Sequence, residues 1–185
     1  MNTTPNLFDS LERIILALLG KSRGGAYMSG DPVVISLRKS GLNFITSPQF
    51  TNLDKTQFYL QLKKYFPSTY KTIYRLMALE TRYFESGQFE RTGSAGMRAF
   101  GTEYPYGWSS AKELWKEQAF RPVGFAKFIV NNKPFYYLAF KSPLAFAAYL
   151  DLYIKKYGAG RWYSSDPTKQ QSYLAALSKI KLPVS

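Results

Sequence analysis

One pair of segments in this 185-residue chain has the composition of β-strands, and most of the rest has helical spacing. Gly124–Val130 (GFAKFIV) and residues 135–140 (FYYLAF) are β-branched and aromatic, and Asn131-Asn132-Lys133-Pro134 between them has turn chemistry. A single hairpin is therefore predicted in the second half, set among helices. The fold class that follows is α+β, mostly α, with a helical body facing a hairpin lobe across a cleft.

Helical periodicity marks the other elements. Leu7, Leu11, Ile14, Ile15, Leu18 and Leu19 share helical spacing, and Gly20 closes that element. Residues 20–32 are rich in Gly, Ser and charge and read as a linker, so 1–30 is taken as an appendage and 31–185 as the main domain. The GKS at 20–22 lacks the upstream glycine and strand of a phosphate-binding loop. Residues 33–37 read as a short extended piece and 41–49 as a loop that could line a groove. A helix is predicted over 53–66, beginning near Asn52 and stopped by Pro67. Ser68 is placed to cap the next one, which runs to about Gly87. Ser109 or Ser110 could cap a helix through Glu113, Leu114 and Trp115. Ser142 opens a long helix ending near Gly158, and Asp166 caps a last one over 167–180.

Within the helix that follows Ser68, taking about 100° per residue, Tyr70, Ile73, Met77 and Phe84 share one side. Glu80 falls inside that apolar stripe. A carboxyl held against apolar neighbours is desolvated, which raises its pKa and keeps it protonated for use as a general acid. The alternative reading leaves Glu80 at the stripe's margin, paired with an Arg or Lys.

Composition narrows the chemistry. The chain has no cysteine and no histidine, which excludes disulfides, thiolate nucleophiles, zinc–thiolate sites and Ser-His-Asp catalysis. No metal and no cofactor is expected. Catalysis would have to run on carboxylates, and only 12 Asp and Glu are available. The 25 Lys and Arg give a net charge of +13, which predicts attraction to a polyanion such as nucleic acid, an acidic membrane or an anionic cell envelope. With 15 Tyr, 14 Phe and 3 Trp there is aromatic surface for both a core and a ring-stacking groove. The run IILALL is too short for a membrane span, and Asp9 and Glu12 stand where a secretory signal would be positive. Residues 7–25 could instead lie on a membrane surface or join a virion.

Several strings, in order, carry a resemblance to a known family. They are Ala78-Leu79-Glu80-Thr81, then Gly96-Met97, then Ala139-Phe140-Lys141-Ser142 leading into a helix with Tyr149. Last comes Tyr163-Ser164-Ser165-Asp166-Pro167 before a helix with Tyr173 and Leu177. Together, over residues 52–181, they resemble the glucosaminidase family of peptidoglycan hydrolases. The resemblance implies a lysozyme-like fold, Glu80 as catalytic acid, and Thr81, Met97, Tyr149 and Tyr163 near the substrate. Glu85-Ser86-Gly87 is itself similar to the Glu-Ser motif of lytic transglycosylases, which makes Glu85 the rival acid. Tyr106 and Trp108 are candidates for stacking on sugar rings.

Where the family often has a second acid on the first hairpin strand, this chain has Phe125-Ala126-Lys127-Phe128-Ile129-Val130. Hydrolysis generally uses two carboxylates, whereas lytic transglycosylases work with one. Glu103, Glu113 and Glu117 remain candidates for the second. The expected activity is thus glycosidic cleavage of peptidoglycan, by transglycosylase or N-acetylglucosaminidase chemistry. The expected setting is a monomeric, leaderless phage lysis enzyme or virion protein acting at the bacterial periplasm or wall. The alternative is a non-enzymatic basic protein that coats nucleic acid, an acidic membrane or a virion.

Overall fold

The computed structural model describes residues 31–99, 114 and 116–183. The predicted helix at 7–19, the 1–30 appendage with its membrane-surface stretch, Glu103, Tyr106, Trp108 and Glu113 all lie outside these residues. Seven helices and three strands are present among those described, and the class is α+β.

The first helix, α1, is Pro32–Lys39. It replaces the extended piece expected at 33–37. Val33, Val34 and Ile35 favour strand in isolation, but Asp31 accepts a hydrogen bond from the Val33 amide and Pro32 sits in the first turn. Capping and a preset φ outweigh the β-propensity here. The expected loop at 41–49 contains a two-residue strand, β1 (Asn43–Phe44). Next come α2 (Lys55–Tyr65), capped by the Asp54 side chain, and α3 (Tyr70–Glu80).

Thr69 rather than Ser68 precedes α3, and its side chain makes no cap bond to the helix. Its hydroxyl instead donates to Asp151 at 2.5 Å, inside the protein. Ile73, Leu76, Met77 and Ala78 on α3 are completely buried, and the helix packs on α2 and on the two long C-terminal helices. It is the central element of the helical body.

α3 stops at Glu80 and does not continue to Gly87. Arg82, Tyr83 and Phe84 all have positive φ, a conformation that costs about 1–2 kcal/mol per residue without glycine. Local bonds and burial offset that cost. The Thr81 hydroxyl donates to the Met77 carbonyl at 2.5 Å and accepts from the Phe84 amide at 3.0 Å. Phe84 then drops into a cluster with Phe58, Tyr74 and Phe89, at centroid distances of 5.6, 5.3 and 5.3 Å. Phe84 is thus buried, as its spacing suggested, but by a turn and not by helical phase.

Ser86 caps the short α4 (Gly87–Thr92). Beyond it the Ser94 hydroxyl donates to the Leu138 carbonyl at 3.1 Å, pinning residues 93–97 to the sheet.

The hairpin forms where expected but with a tighter turn: β2 (Gly124–Val130) and β3 (Lys133–Ala139) run antiparallel in the register Val130↔Lys133 to Gly124↔Ala139. Lys133 and Pro134, expected in the turn, therefore open β3, and Phe140, expected in the strand, follows it. Asn131 and Asn132 both take positive φ, as a two-residue primed turn requires. β1 adds to β2 in parallel, giving the order β1-β2-β3. On the far side of β3, Arg98 bridges to Tyr137, with Leu138 N bonding Met97 O and Ala99 N bonding Tyr136 O. Pro134, which cannot donate a ladder bond, sits on β3 near the turn.

α5 (Pro143–Tyr157) opens at Ser142 and closes at Gly158, both as expected. A short α6 (Gly160–Tyr163) was not anticipated, and α7 (Pro167–Lys179) opens at Asp166. No helix among the described residues is long and apolar enough to cross a membrane.

Candidate active site

Glu80 is the last residue of α3, and the fold brings Tyr173 against it, with Tyr137 within electrostatic reach. Tyr173, on α7, donates its hydroxyl to Glu80 Oε1 at 2.6 Å. Tyr163, at the end of α6, stacks on the Tyr173 ring with centroids 5.0 Å apart and planes within 3°. Tyr137, on β3, lies within electrostatic reach of both Arg98 and Glu80. Side chains from α7 and β3, both distant in sequence from α3, thus reach toward one carboxyl.

Desolvation raises the Glu80 pKa, and the Tyr173 hydrogen bond pulls it part of the way back. The end of α3 acts in the raising direction, because a helix C-terminus carries partial negative charge. The residue as a whole keeps a little surface, while its carboxyl is desolvated. Tyr173, itself 2% exposed, has its pKa raised by burial and by the neighbouring carboxylate. It therefore stays a hydrogen-bond donor throughout the working pH range. A carboxyl that prefers its proton, with a fixed donor on one oxygen, is equipped to give that proton away and to be held in place while charged.

Glu85 is in a different environment. It lies outside any helix, its side chain is 71% exposed, and Lys55 Nζ donates to it at 2.8 Å. The Lys55 hydrogen bond and charge lower its pKa, so it is ionised near neutrality and has no proton to give.

Thr81, expected near substrate, is fully buried and spends its hydroxyl on the turn after α3. Tyr149 is likewise fully buried, packed 5.2 Å from Phe140 in the core of α5. Neither side chain reaches the surface, because each fills the interior between elements. Met97 is 7% exposed, and its carbonyl accepts from Leu138. Its effect is to align Arg98 with Tyr137. Tyr163 is half-buried and joins the Glu80 group through Tyr173.

Tyr173 appeared in the sequence only as part of the resemblance, while Tyr137 and Arg98 were not singled out. The hairpin register and the pairing of 97–99 with β3 are what bring them in, and neither pairing has a local signature.

Most of the other described carboxylates are engaged elsewhere. Asp31 caps α1 and accepts from Tyr136, Asp54 and Asp166 cap helices, and Asp151 accepts from Thr69 and Lys155. Among the described residues no group of three or more His, Cys, Asp or Glu could hold a metal ion. No family model matches the chain, and neither a curated protein nor a solved structure matches it.

Proposed function

We propose that this protein cleaves the glycan backbone of peptidoglycan, with Glu80 as the proton donor. The observation that carries the reading is the desolvated Glu80 carboxyl bonded to Tyr173 at 2.6 Å. Supporting it is the string Ala78-Leu79-Glu80-Thr81, which resembles the glucosaminidase motif, on a central helix of a small α+β domain. The lysozyme-like architecture belongs to the same proposal.

In the reading's first step Glu80 gives its proton to the bridging oxygen as the C1–O bond breaks. In the second, the resulting carboxylate takes a proton from the sugar's own 6-hydroxyl while that oxygen closes on C1. This leaves a 1,6-anhydro end and returns Glu80 to its protonated form. One carboxyl suffices for both steps, which suits a site whose described groups near Glu80 are the tyrosines Tyr173 and Tyr137. Water in place of the 6-hydroxyl would give a reducing end, and would call for a second carboxylate.

The net charge of +13 would hold such an enzyme on an anionic wall, in a phage-type lysis or wall-penetration setting. The test is digestion of purified walls followed by mass analysis of the muropeptides. Anhydro-terminated fragments support the single-glutamate route, reducing ends support hydrolysis, and no released sugar removes the enzyme.

The same charge also favours a second reading, a non-enzymatic coat for nucleic acid or an acidic surface. That reading requires DNA binding that weakens steeply with salt and no sugar release.

A further inference from the structure

Phe128 and Phe135 are direct partners across the hairpin, so their side chains stand on one face of the sheet. Each carries a guanidinium on its ring. Arg91, from α4, lies 4.5 Å from the Phe128 centroid, and Arg98 lies 4.3 Å from the Phe135 centroid. Tyr137 is on the same face, 5.8 Å from Phe128 ring to ring and paired with Arg98. It is also the residue that senses Glu80. The two arginines thus sit over rings on the hairpin face that also carries Tyr137, two residues along β3 from Phe135.

Two like charges on neighbouring rings concentrate positive potential. Contact with a phenyl ring limits where each guanidinium can lie, and the planar N–H fork of an arginine suits carboxylates. Arg91 is half-buried, which lowers its pKa by desolvation against the opposing influence of Glu90. A partly desolvated cation binds anions more tightly than a fully hydrated one. Arg98 is exposed.

We infer that Arg91 and Arg98 form a carboxylate-recognition subsite beside Glu80, which selects the carboxylate-bearing hexosamine of the wall glycan over its neutral partner. This rests on the peptidoglycan reading for its ligand. The carboxylate has two sources, the lactyl group of the sugar and the acidic groups of the stem peptide, and the arms of the test separate them.

The test uses full-length protein carrying Glu80→Gln, so that binding is measured without turnover. Calorimetric titrations would compare chitotetraose, a peptide-free tetrasaccharide of alternating N-acetylglucosamine and N-acetylmuramic acid, and the same tetrasaccharide with its stem peptides. The muramic ligand should bind about tenfold more tightly than chitotetraose, the scale of one charge-assisted pair. Arg98→Gln should erase that preference, and Arg98→Lys should restore part of it. A gain confined to the peptide-bearing ligand assigns the carboxylate to the stem. Equal affinity for all three ligands, no binding of any, or a preference that survives Arg98→Gln overturns the subsite. An Arg98-dependent affinity for an oligonucleotide, with none for sugars, also overturns it. Wall digestion by the wild-type protein reports separately on the enzyme. Preference without released sugar keeps the subsite and removes the glycosidase; released sugar without preference does the reverse.

Discussion

Replacing Tyr173 by phenylalanine removes one oxygen from the candidate site and leaves the ring that stacks on Tyr163. The lost contact is a 2.6 Å bond from a buried hydroxyl to a carboxylate oxygen. A hydrogen bond to a charged group contributes about 1.5–3 kcal/mol, and one to a neutral group about 0.5–1.5 kcal/mol. The protonated Glu80 can keep only the weaker kind. The variant therefore loses about 1–1.5 kcal/mol more from the charged form than from the neutral one. At about 1.36 kcal/mol per factor of ten, Glu80 should hold its proton roughly tenfold more tightly. The assay is the pH dependence of the Glu80 side-chain carbonyl resonance in carbon-13-labelled protein, wild type against Tyr173→Phe. The titration should move to higher pH, and the alkaline limb of any lytic activity should move with it. A midpoint that stays put or falls would show that Tyr173 does not hold the carboxylate, and the reasoning about this site would fail.

Three further outcomes concern stability. Because folding raises the Glu80 pKa, its stabilising contribution is full below the unfolded glutamate value of about 4.3 and is lost as pH rises through the folded one. Glu80→Gln cannot ionise, so urea denaturation at a series of pH values should show the variant gaining on wild type through that window. A constant difference between the two would contradict the desolvation. Asp151→Ala should cost about 1–3 kcal/mol in the same assay, because it strands the buried Thr69 hydroxyl, while Asp151→Asn, which keeps an acceptor, should cost less. Gly124→Ala would place a Cβ 2.4 Å from the Asn43 carbonyl oxygen. It should lower stability by about 1–3 kcal/mol and speed amide exchange at Ile45, whose amide bonds Phe125 O at 2.8 Å.

What could be read from the sequence was local. The asparagine-rich turn after Val130, the Ser142 and Asp166 caps and the Gly158 stop each act within a few residues of themselves. The caps and the stop appear where expected, and the turn does so with two residues in place of four. The cap at Asp31 is equally local, but the β-branched residues behind it carry the opposite propensity. The break after Glu80 was not legible, because no glycine or asparagine marks Arg82, Tyr83 and Phe84. Their left-handed backbone is held by Thr81 and by aromatic burial that only the assembled fold provides. Glu80 itself was visible as a carboxyl out of place among apolar neighbours. Its partner Tyr173 lies 93 residues away, and the Tyr137–Arg98 pair depends on a strand pairing outside the hairpin. Helix periodicity carries no information about either.

The most direct measurement compares release of soluble muropeptides from purified cell walls by the wild type, Glu80→Gln and Glu85→Gln, with folding of each checked by circular dichroism. Loss of a general acid typically costs about 10²–10⁴ in rate. The account predicts a loss of that size for Glu80→Gln and near-normal release for Glu85→Gln, whose carboxylate is already charged and tied to Lys55. Full activity in folded Glu80→Gln, with loss in Glu85→Gln, would contradict it.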